Sequence, residues 1–205
     1  MRRTQIANEI RGATPTVHGV VDLLVEPQVG APQAQINFGD TMQYMKLNAG
    51  QREELLASLN SMPEYLKESF AVLSPEQART PGPGGAFSPV EHAWHLADLE
   101  REGFGARIQR LLAETEPHLP DFDGTKIAAE RSYRSLSLEE GILAFTEARQ
   151  KNIAALSAID SHMWLRSGTQ EGVGSVSLCD IPHFMLQHDS SHRAEIEAWK
   201  DSVVR

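Results

Sequence analysis

The feature that most constrains the fold is an apolar stripe near the C-terminus that contains two histidines. Side chains of this stripe recur at three- and four-residue steps, the spacing of one helix face: Ile181, Met185, His188, His192, Ile196 and Trp199. His188 and His192 are four residues apart, so both rings project from this inward face. An unpaired buried polar group costs about 1 to 3 kcal/mol, so two inward imidazoles need partners. One divalent metal ion satisfies both, although the spacing alone also fits histidines with structural or surface roles.

A third ligand is predicted on a helix in the middle of the chain. Ser88, Pro89 and Glu91 match an N-cap, a first-turn proline and the third-position carboxylate of a capping box. His95 lies about two turns into this helix, and His92 is a rival three residues earlier. The local sequence does not choose between them. Glu91 either caps the helix or accepts an imidazole N–H from His95.

Helical periodicity continues from about residue 47 to the end of the chain. Pro63 predicts a kink or a new helix start after Ser61, because proline is not tolerated inside a helix. The second helix is expected to end near Leu112, the third to open with Ser137 and Glu140, and the last to start near Ser177. Glycines at 168, 172 and 174 indicate a loop with a short hairpin. Four such helices without a strong strand pattern predict an all-α fold, a four-helix bundle.

The first part of the chain has a different composition. Prolines and glycines divide it into short pieces: Pro15, Pro27, Pro32, Gly12, Gly19, Gly30 and Gly39. We therefore divide the chain into a mostly irregular N-terminal extension, residues 1–43, and a helical domain, residues 44–205.

Composition argues against several classes of function. The formal net charge is -9 and no basic stripe offsets it, so nucleic-acid binding has poor electrostatic support. Cys179 is the only cysteine, which rules out an intramolecular disulfide and is best explained as a small buried apolar residue. No stretch approaches membrane-spanning length. We expect a cytoplasmic protein without a nucleic-acid or membrane partner.

Two motifs of the sequence are specific enough to compare with a known family. The first is Phe87-Ser88-Pro89, then Glu91, then His95-Leu96-Ala97-Asp98 and Glu100, and the second runs from Gln187 to Ile196. Both resemble the metal-ligand motifs of the DinB-like superfamily. The family pattern is also matched before the last helix, by Trp164-Leu165-Arg166-Ser167-Gly168 and by Gly174. The resemblance covers roughly residue 47 to the C-terminus. The chain departs from the family in its N-terminal extension, in Phe87 where tryptophan is frequent, and in Arg193-Ala194-Glu195, where glutamine often precedes the isoleucine.

Membership implies a bundle with one divalent ion held by His95, His188 and His192, and frequent homodimerisation. The family includes thiol S-transferases that use bacillithiol or mycothiol, and thiol-dependent maleylpyruvate isomerases. Zinc or nickel is the expected ion, with iron as a further choice, because imidazole suits all three metals.

Three nitrogen ligands would leave coordination positions open, as in a catalytic site. We therefore predict a metal-dependent transferase that uses a low-molecular-weight thiol on a small-molecule substrate, or a related hydrolase. The alternative is a non-catalytic, stress-associated bundle whose ion fastens two helices. No general base is assigned; groups expected to support the site are Glu91, Asp98, Asp189 and Arg149. Arg149 falls on an apolar stripe, where it pairs with a buried carboxylate or binds an anionic substrate group.

Overall fold

The computed structural model describes residues 48–203. The predicted N-terminal extension, residues 1–43, lies outside this range, so the domain division at residue 44 stays a prediction. Within the described range, no helix combines the length and apolar character needed to cross a membrane.

The described chain is mostly helical, as predicted. Its α-helices are α1 (Ala49–Ser58), α2 (Ser61–Phe70), α3 (Pro89–Asp98), α4 (Ala106–Ala113), α5 (Gly124–Arg131), α6 (Leu138–Ser157) and α7 (Ile181–Val203). A π-helix, Leu99–Gly105, joins α3 to α4. The strands are β1 (His118–Leu119), β2 (Ser167–Gln170) and β3 (Gly174–Ser177).

Proline positions explain two of the helix starts. The chain breaks after α1 and resumes at Ser61, so Pro63 falls in the first turn of α2, where its missing N–H costs nothing. The predicted new start is confirmed. Pro89 opens α3, and the capping box at its N-terminus is also confirmed: Ser88 and Glu91 each bond to the other's backbone N–H.

The run after His95 contains a feature that periodicity did not predict. The helical run does extend to Ala113, but Leu99–Gly105 is wound as a π-helix. Asn152 on α6 donates from Nδ2 to the Glu100 carbonyl at 2.7 Å, which provides a partner for this carbonyl inside the widened turn. A Cβ atom at Gly105 would lie 2.8 Å from the same oxygen. This close approach explains the glycine, and π-turns are frequent at functional sites.

A small three-stranded sheet lies beside the helices. The predicted hairpin is confirmed: β2 pairs antiparallel with β3, and Gly172 and Gly174 take positive φ in and after the turn. β1 pairs parallel with β2, and the register places Leu119 opposite Gln170. Neither β1 nor α5 was predicted, because both are short and carry no clear period.

The last two long helices follow the sequence with one correction. Ser137 caps α6 by accepting from the Glu140 N–H, as predicted. The predicted start of the last helix near Ser177 is wrong, because Ser177 ends β3 and α7 begins at Ile181. The backbone N–H and the hydroxyl of Ser177 both donate to Asp180, at 2.8 and 2.7 Å, and form a turn before the helix. The six residues of the predicted stripe are all buried.

A buried ion network joins α6 to α7 and to the π-helix. Arg149 of α6 donates from both terminal nitrogens to Asp189, at 2.7 and 2.9 Å, and its Nε lies 3.0 Å from Glu100. It also donates to the Leu59 carbonyl at 3.0 Å. Burial disfavours the charged guanidinium, but the two carboxylates outweigh it and raise the Arg149 pKa. Of the two predicted roles for Arg149, the structure supports pairing with buried carboxylates.

We predict that Arg149→Met strongly destabilises the fold, because it leaves two buried carboxylates without their cation. Removing one partner of a buried ion pair typically costs about 3 to 5 kcal/mol. Urea unfolding followed by circular dichroism measures the loss. The control is Arg110→Met, which removes an exposed pair with Glu114 and should leave the midpoint nearly unchanged. Equal midpoints for the two variants would contradict the importance of the network.

Candidate metal centre

Three histidines from two helices converge in the interior. His95 lies on α3, and His188 and His192 lie one turn apart on α7. Nε2 of His188 is 3.3 Å from Nε2 of His95 and 3.1 Å from Nε2 of His192. The three residues are 1%, 5% and 5% exposed, in chain order. Their nitrogens form a compact group of the kind that can hold a metal ion.

Hydrogen bonding alone does not satisfy this cluster. A neutral imidazole nitrogen has a single in-plane position, occupied either by a proton or by a lone pair. Nε2 of His188 therefore forms a hydrogen bond with only one of its two neighbours, and the other contact sets like groups against each other. A cation that accepts all three lone pairs removes the conflict.

The spacing and charge of the cluster fit a divalent ion. With metal–nitrogen bonds of about 2.0 to 2.1 Å, nitrogens on one ion lie about 3.0 Å apart at octahedral angles and about 3.4 Å apart at tetrahedral angles. Both Nε2 separations given above fall in this interval. Burial lowers the pKa of His95 and of His188 well below the usual histidine value, and the neighbouring His192 lowers both further. Both rings are therefore neutral near pH 7, which is the form that binds metal.

The second ring nitrogen of His192 also has close neighbours. Its Nδ1 lies 2.9 Å from Oε2 of Glu195, one turn further along α7, and 3.1 Å from Nδ1 of His92. Oε2 of Glu195 forms no hydrogen bond among the described residues, so this contact is electrostatic. A negative charge so close favours a proton on Nδ1, which leaves the Nε2 lone pair free to point into the cluster.

The structure gives His95 and His92 different positions, although the local sequence did not choose between them as the third ligand. His95 directs Nε2 toward His188, whereas His92 lies on the far side of His192 and faces Glu195 at 3.9 Å. His92, His192 and Glu195 thus form a second group of potential ligand atoms that shares one histidine with the first. His92 is 1% exposed and its Nε2 has no hydrogen-bond partner among the described residues.

Aromatic rings enclose the cluster. The ring centroid of Phe87 is 5.2 Å from that of His95, and Phe122, in the loop after β1, is 6.2 Å from it on another side. Phe104 of the π-helix is 6.1 Å from His188. Phe87 also contacts His92 at 5.7 Å, so its ring forms a wall against two histidines. Such a wall limits water and strengthens electrostatic interactions inside it.

The carboxylates expected to support the site have other partners. Glu91 bonds to Ser88 at the cap and to Arg134 at 2.9 Å, while Nδ1 of His95 is buried without a hydrogen bond to any described residue. Of the two roles left open for Glu91, the structure supports the cap.

Asp98 and Asp189 are buried but do not contact the histidine nitrogens. Asp98 accepts from Arg101, Arg131 and Tyr133 at 2.5 to 2.6 Å, which fixes α5 and the following turn against α3. Asp189 pairs with Arg149, and this pair supports the helix that carries His188 and His192.

Sequence reasoning missed the contribution of Glu195. Its spacing of three from His192 places both on one helix face and is the signal that could have found it. Glu100 was noted only as part of a motif. Phe104 and Phe122 carried no signal, because their approach depends on the π-helix and on a loop.

The chain is similar to several known proteins. Two curated Geobacillus proteins carry the name "Putative metal-dependent hydrolase". The relative from G. thermodenitrificans is 29% identical over 145 residues, 70% of this chain and 81% of its own. The relative from G. kaustophilus is 23% identical over 152 residues, 74% of this chain and 85% of its own.

A solved structure shares the fold. YfiT from Bacillus subtilis, described as a probable metal-dependent hydrolase with an unusual four-helix bundle topology, superposes with a TM-score of 0.70 at 18% identity. The match covers 76% of this chain and 89% of YfiT. The family model of the DinB superfamily matches residues 58–196, more than half of the chain and a range that contains all three clustered histidines. This chain therefore belongs to the DinB superfamily.

Proposed function

We propose that this chain is a metal-dependent enzyme that holds one divalent ion through His95, His188 and His192. The observation that carries the proposal is the convergence of three buried Nε2 atoms, one of which cannot satisfy both neighbours by hydrogen bonding. The family and the names of the Geobacillus relatives support a metal-dependent activity.

The surroundings of the cluster favour catalysis over a closed structural site. Among residues 48–203, no fourth histidine, cysteine, aspartate or glutamate joins the group of three. A structural zinc site normally has four protein ligands, so three leave a position for a small molecule. When bound, the ion supplies Lewis acidity, which makes a water molecule or a thiol more acidic. The phenylalanine rings exclude bulk water, and Glu195 places a negative charge 2.9 Å from Nδ1 of His192.

The reaction that we propose in finer detail is transfer of a low-molecular-weight thiol to a small electrophile. The chain offers no internal thiol for this role. Cys179 is buried, its Sγ donates to the Trp164 carbonyl at 3.0 Å, and burial raises its pKa to about 11. A thiol nucleophile would therefore have to come from a co-substrate. Hydrolysis uses the same site with water as the nucleophile and accords with the names of the relatives.

A non-catalytic ion that fastens α3 to α7 is the second candidate. The near-complete burial of the three histidines favours it, because a substrate would have to displace an aromatic ring to reach them. Homodimerisation, expected from the family resemblance, also remains a prediction, which light scattering coupled to gel filtration would check.

Metal content is the first test. We expect about one equivalent of zinc, nickel or iron per untagged wild-type chain by plasma mass spectrometry, and loss of that metal in His188→Ala. The control is His162→Ala, which changes an exposed histidine outside the cluster and should retain the ion. Absence of metal in the wild type, even after incubation with zinc or nickel, would overturn the proposal.

Activity assays distinguish a thiol transferase, a hydrolase and a protein whose ion is only structural. A panel of ester and amide substrates is assayed without thiol, and a panel of small electrophiles is assayed with and without bacillithiol or mycothiol. Turnover only with thiol supports the transferase, whereas turnover without thiol supports a hydrolase. In either case His188→Ala and removal of the ion by a chelator should abolish it. A loaded protein inactive in both panels, with the ion raising only its unfolding temperature, would favour the structural ion.

Glu195→Gln tests whether the carboxylate beside His192 supports metal binding. The amide is nearly the same size but loses the charge that favours a proton on Nδ1. Loss of such an outer partner typically weakens metal affinity about 10- to 100-fold. Competition with a chromogenic chelator measures the change. The control is Glu197→Gln on the same helix, whose exposed carboxylate pairs with Tyr65 and Lys200. Equal affinity for the two variants would show that Glu195 does not assist His192.

A further inference from the structure

Arg107 of α4 is a buried cation that forms no hydrogen bond with a carboxylate of residues 48–203, although Asp121 acts on it electrostatically. The residue is 2% exposed, and its one hydrogen bond runs from Nη2 to the Pro120 carbonyl at 3.3 Å. Its Nε and Nη1 are both buried without a hydrogen-bond partner among the described residues. Burial lowers the Arg107 pKa to about 10, opposed by Asp121, so the group stays charged at neutral pH.

A second unpaired polar side chain lies at the same end of β1. Gln170 of β2 is 1% exposed, and neither its amide oxygen nor its amide nitrogen has a partner in the described part of the chain. Gln170 is paired in register with Leu119, and the next residue, Pro120, holds Arg107. Two unsatisfied polar groups therefore flank one short segment of backbone.

The region around Arg107, Pro120 and Gln170, called the corner below, is separated from the histidine cluster by a single aromatic ring. The Arg107 guanidinium lies 6.0 Å from the centroid of Phe104, and the same ring lies 6.1 Å from His188. The loop that follows Pro120 carries Phe122, which covers His95. One loop thus lies next to both places.

An ordered water satisfies a neutral amide, but it does not neutralise a guanidinium. A buried positive charge is stable only when an opposite charge or several strong acceptors surround it. The planar guanidinium fork matches a carboxylate, and an amide N–H adds a third donor. A carboxylate matches the single charge of Arg107, whereas a phosphate dianion carries one negative charge more.

We propose that Arg107 and Gln170 bind the carboxylate group of the small-molecule substrate on which the metal centre acts. This inference rests on the proposed function for the identity of the substrate, but the binding itself needs no metal. Arg107 determines specificity and takes no part in bond cleavage.

The test is thermal unfolding of the metal-stripped full chain in the presence of propionate. Propionamide, a neutral molecule of the same shape, and sodium chloride at equal ionic strength are the comparison ligands. We expect propionate alone to raise the midpoint in a saturable way. Arg107→Met should weaken the apparent propionate affinity at least 10-fold while unfolding at the wild-type temperature or above it, because an unpaired buried charge is removed. Arg110→Met on the same helix should bind propionate like the wild type.

Several results would overturn the proposal. Equal stabilisation by propionate and propionamide, or by propionate in Arg107→Met, would show that the cation does not recognise the anion. No stabilisation beyond that of sodium chloride would mean that the corner holds ordered water only. Larger stabilisation by inorganic phosphate would assign a different ligand class.

The same titration with His188→Ala separates this proposal from the proposed function. Propionate binding that persists in this variant, in a protein that never contains metal, would uphold the carboxylate site and reject the metalloenzyme. Propionate binding that requires both the ion and His188, and is indifferent to Arg107→Met, would reject the carboxylate site alone.

Discussion

The buried contact of Arg149 with Asp189 and Glu100 fixes the geometry on which the rest of the structure depends. Asp189 follows His188 directly on α7, and Glu100 lies five residues after His95, inside the π-helix. One guanidinium therefore holds the two backbone segments that present the histidines. Its planar fork allows little variation in how the helices slide or rotate, because two parallel hydrogen bonds to Asp189 would be lost together. A contact made only of apolar side chains would tolerate more of these movements.

Burying the three histidines without a ligand lowers the stability of the folded protein, and this loss of stability points to a function. Three rings are removed from water, and the nitrogen of His188 faces two like groups. Nothing in the apolar core of the bundle requires them, because leucine or methionine would fill the space without desolvating polar atoms. A group that destabilises the apo protein and stabilises a liganded one links folding to ligand binding. That linkage is the reason to read the cluster as a binding site and not as packing.

The sequence predicted much of this arrangement, and its failures have physical causes. The apolar stripe of α7 and the Ser88 capping box could be predicted from the sequence, because each depends on residues within a few turns of one helix. Spacing could not predict whether His92 or His95 joins the two histidines of α7, because this depends on how α3 is rotated against α7. The π-helix was missed for a related reason: Asn152 on another helix supplies the partner for its carbonyl.

Charge balance connects the two unusual regions of the interior. Arg149 has two buried carboxylates around it, so its surroundings carry negative charge in excess, and Glu195 adds more beside His192. A divalent cation among three histidines would offset that excess. Arg107 presents the opposite case one aromatic ring away: a buried positive charge whose Nε and Nη1 have no hydrogen-bond partner among the described residues. A metal ion alone would leave Arg107 unpaired, and an anion alone would leave the histidines in conflict. An ion and a small carboxylate-bearing molecule bound in adjacent places, as proposed above, would resolve both together.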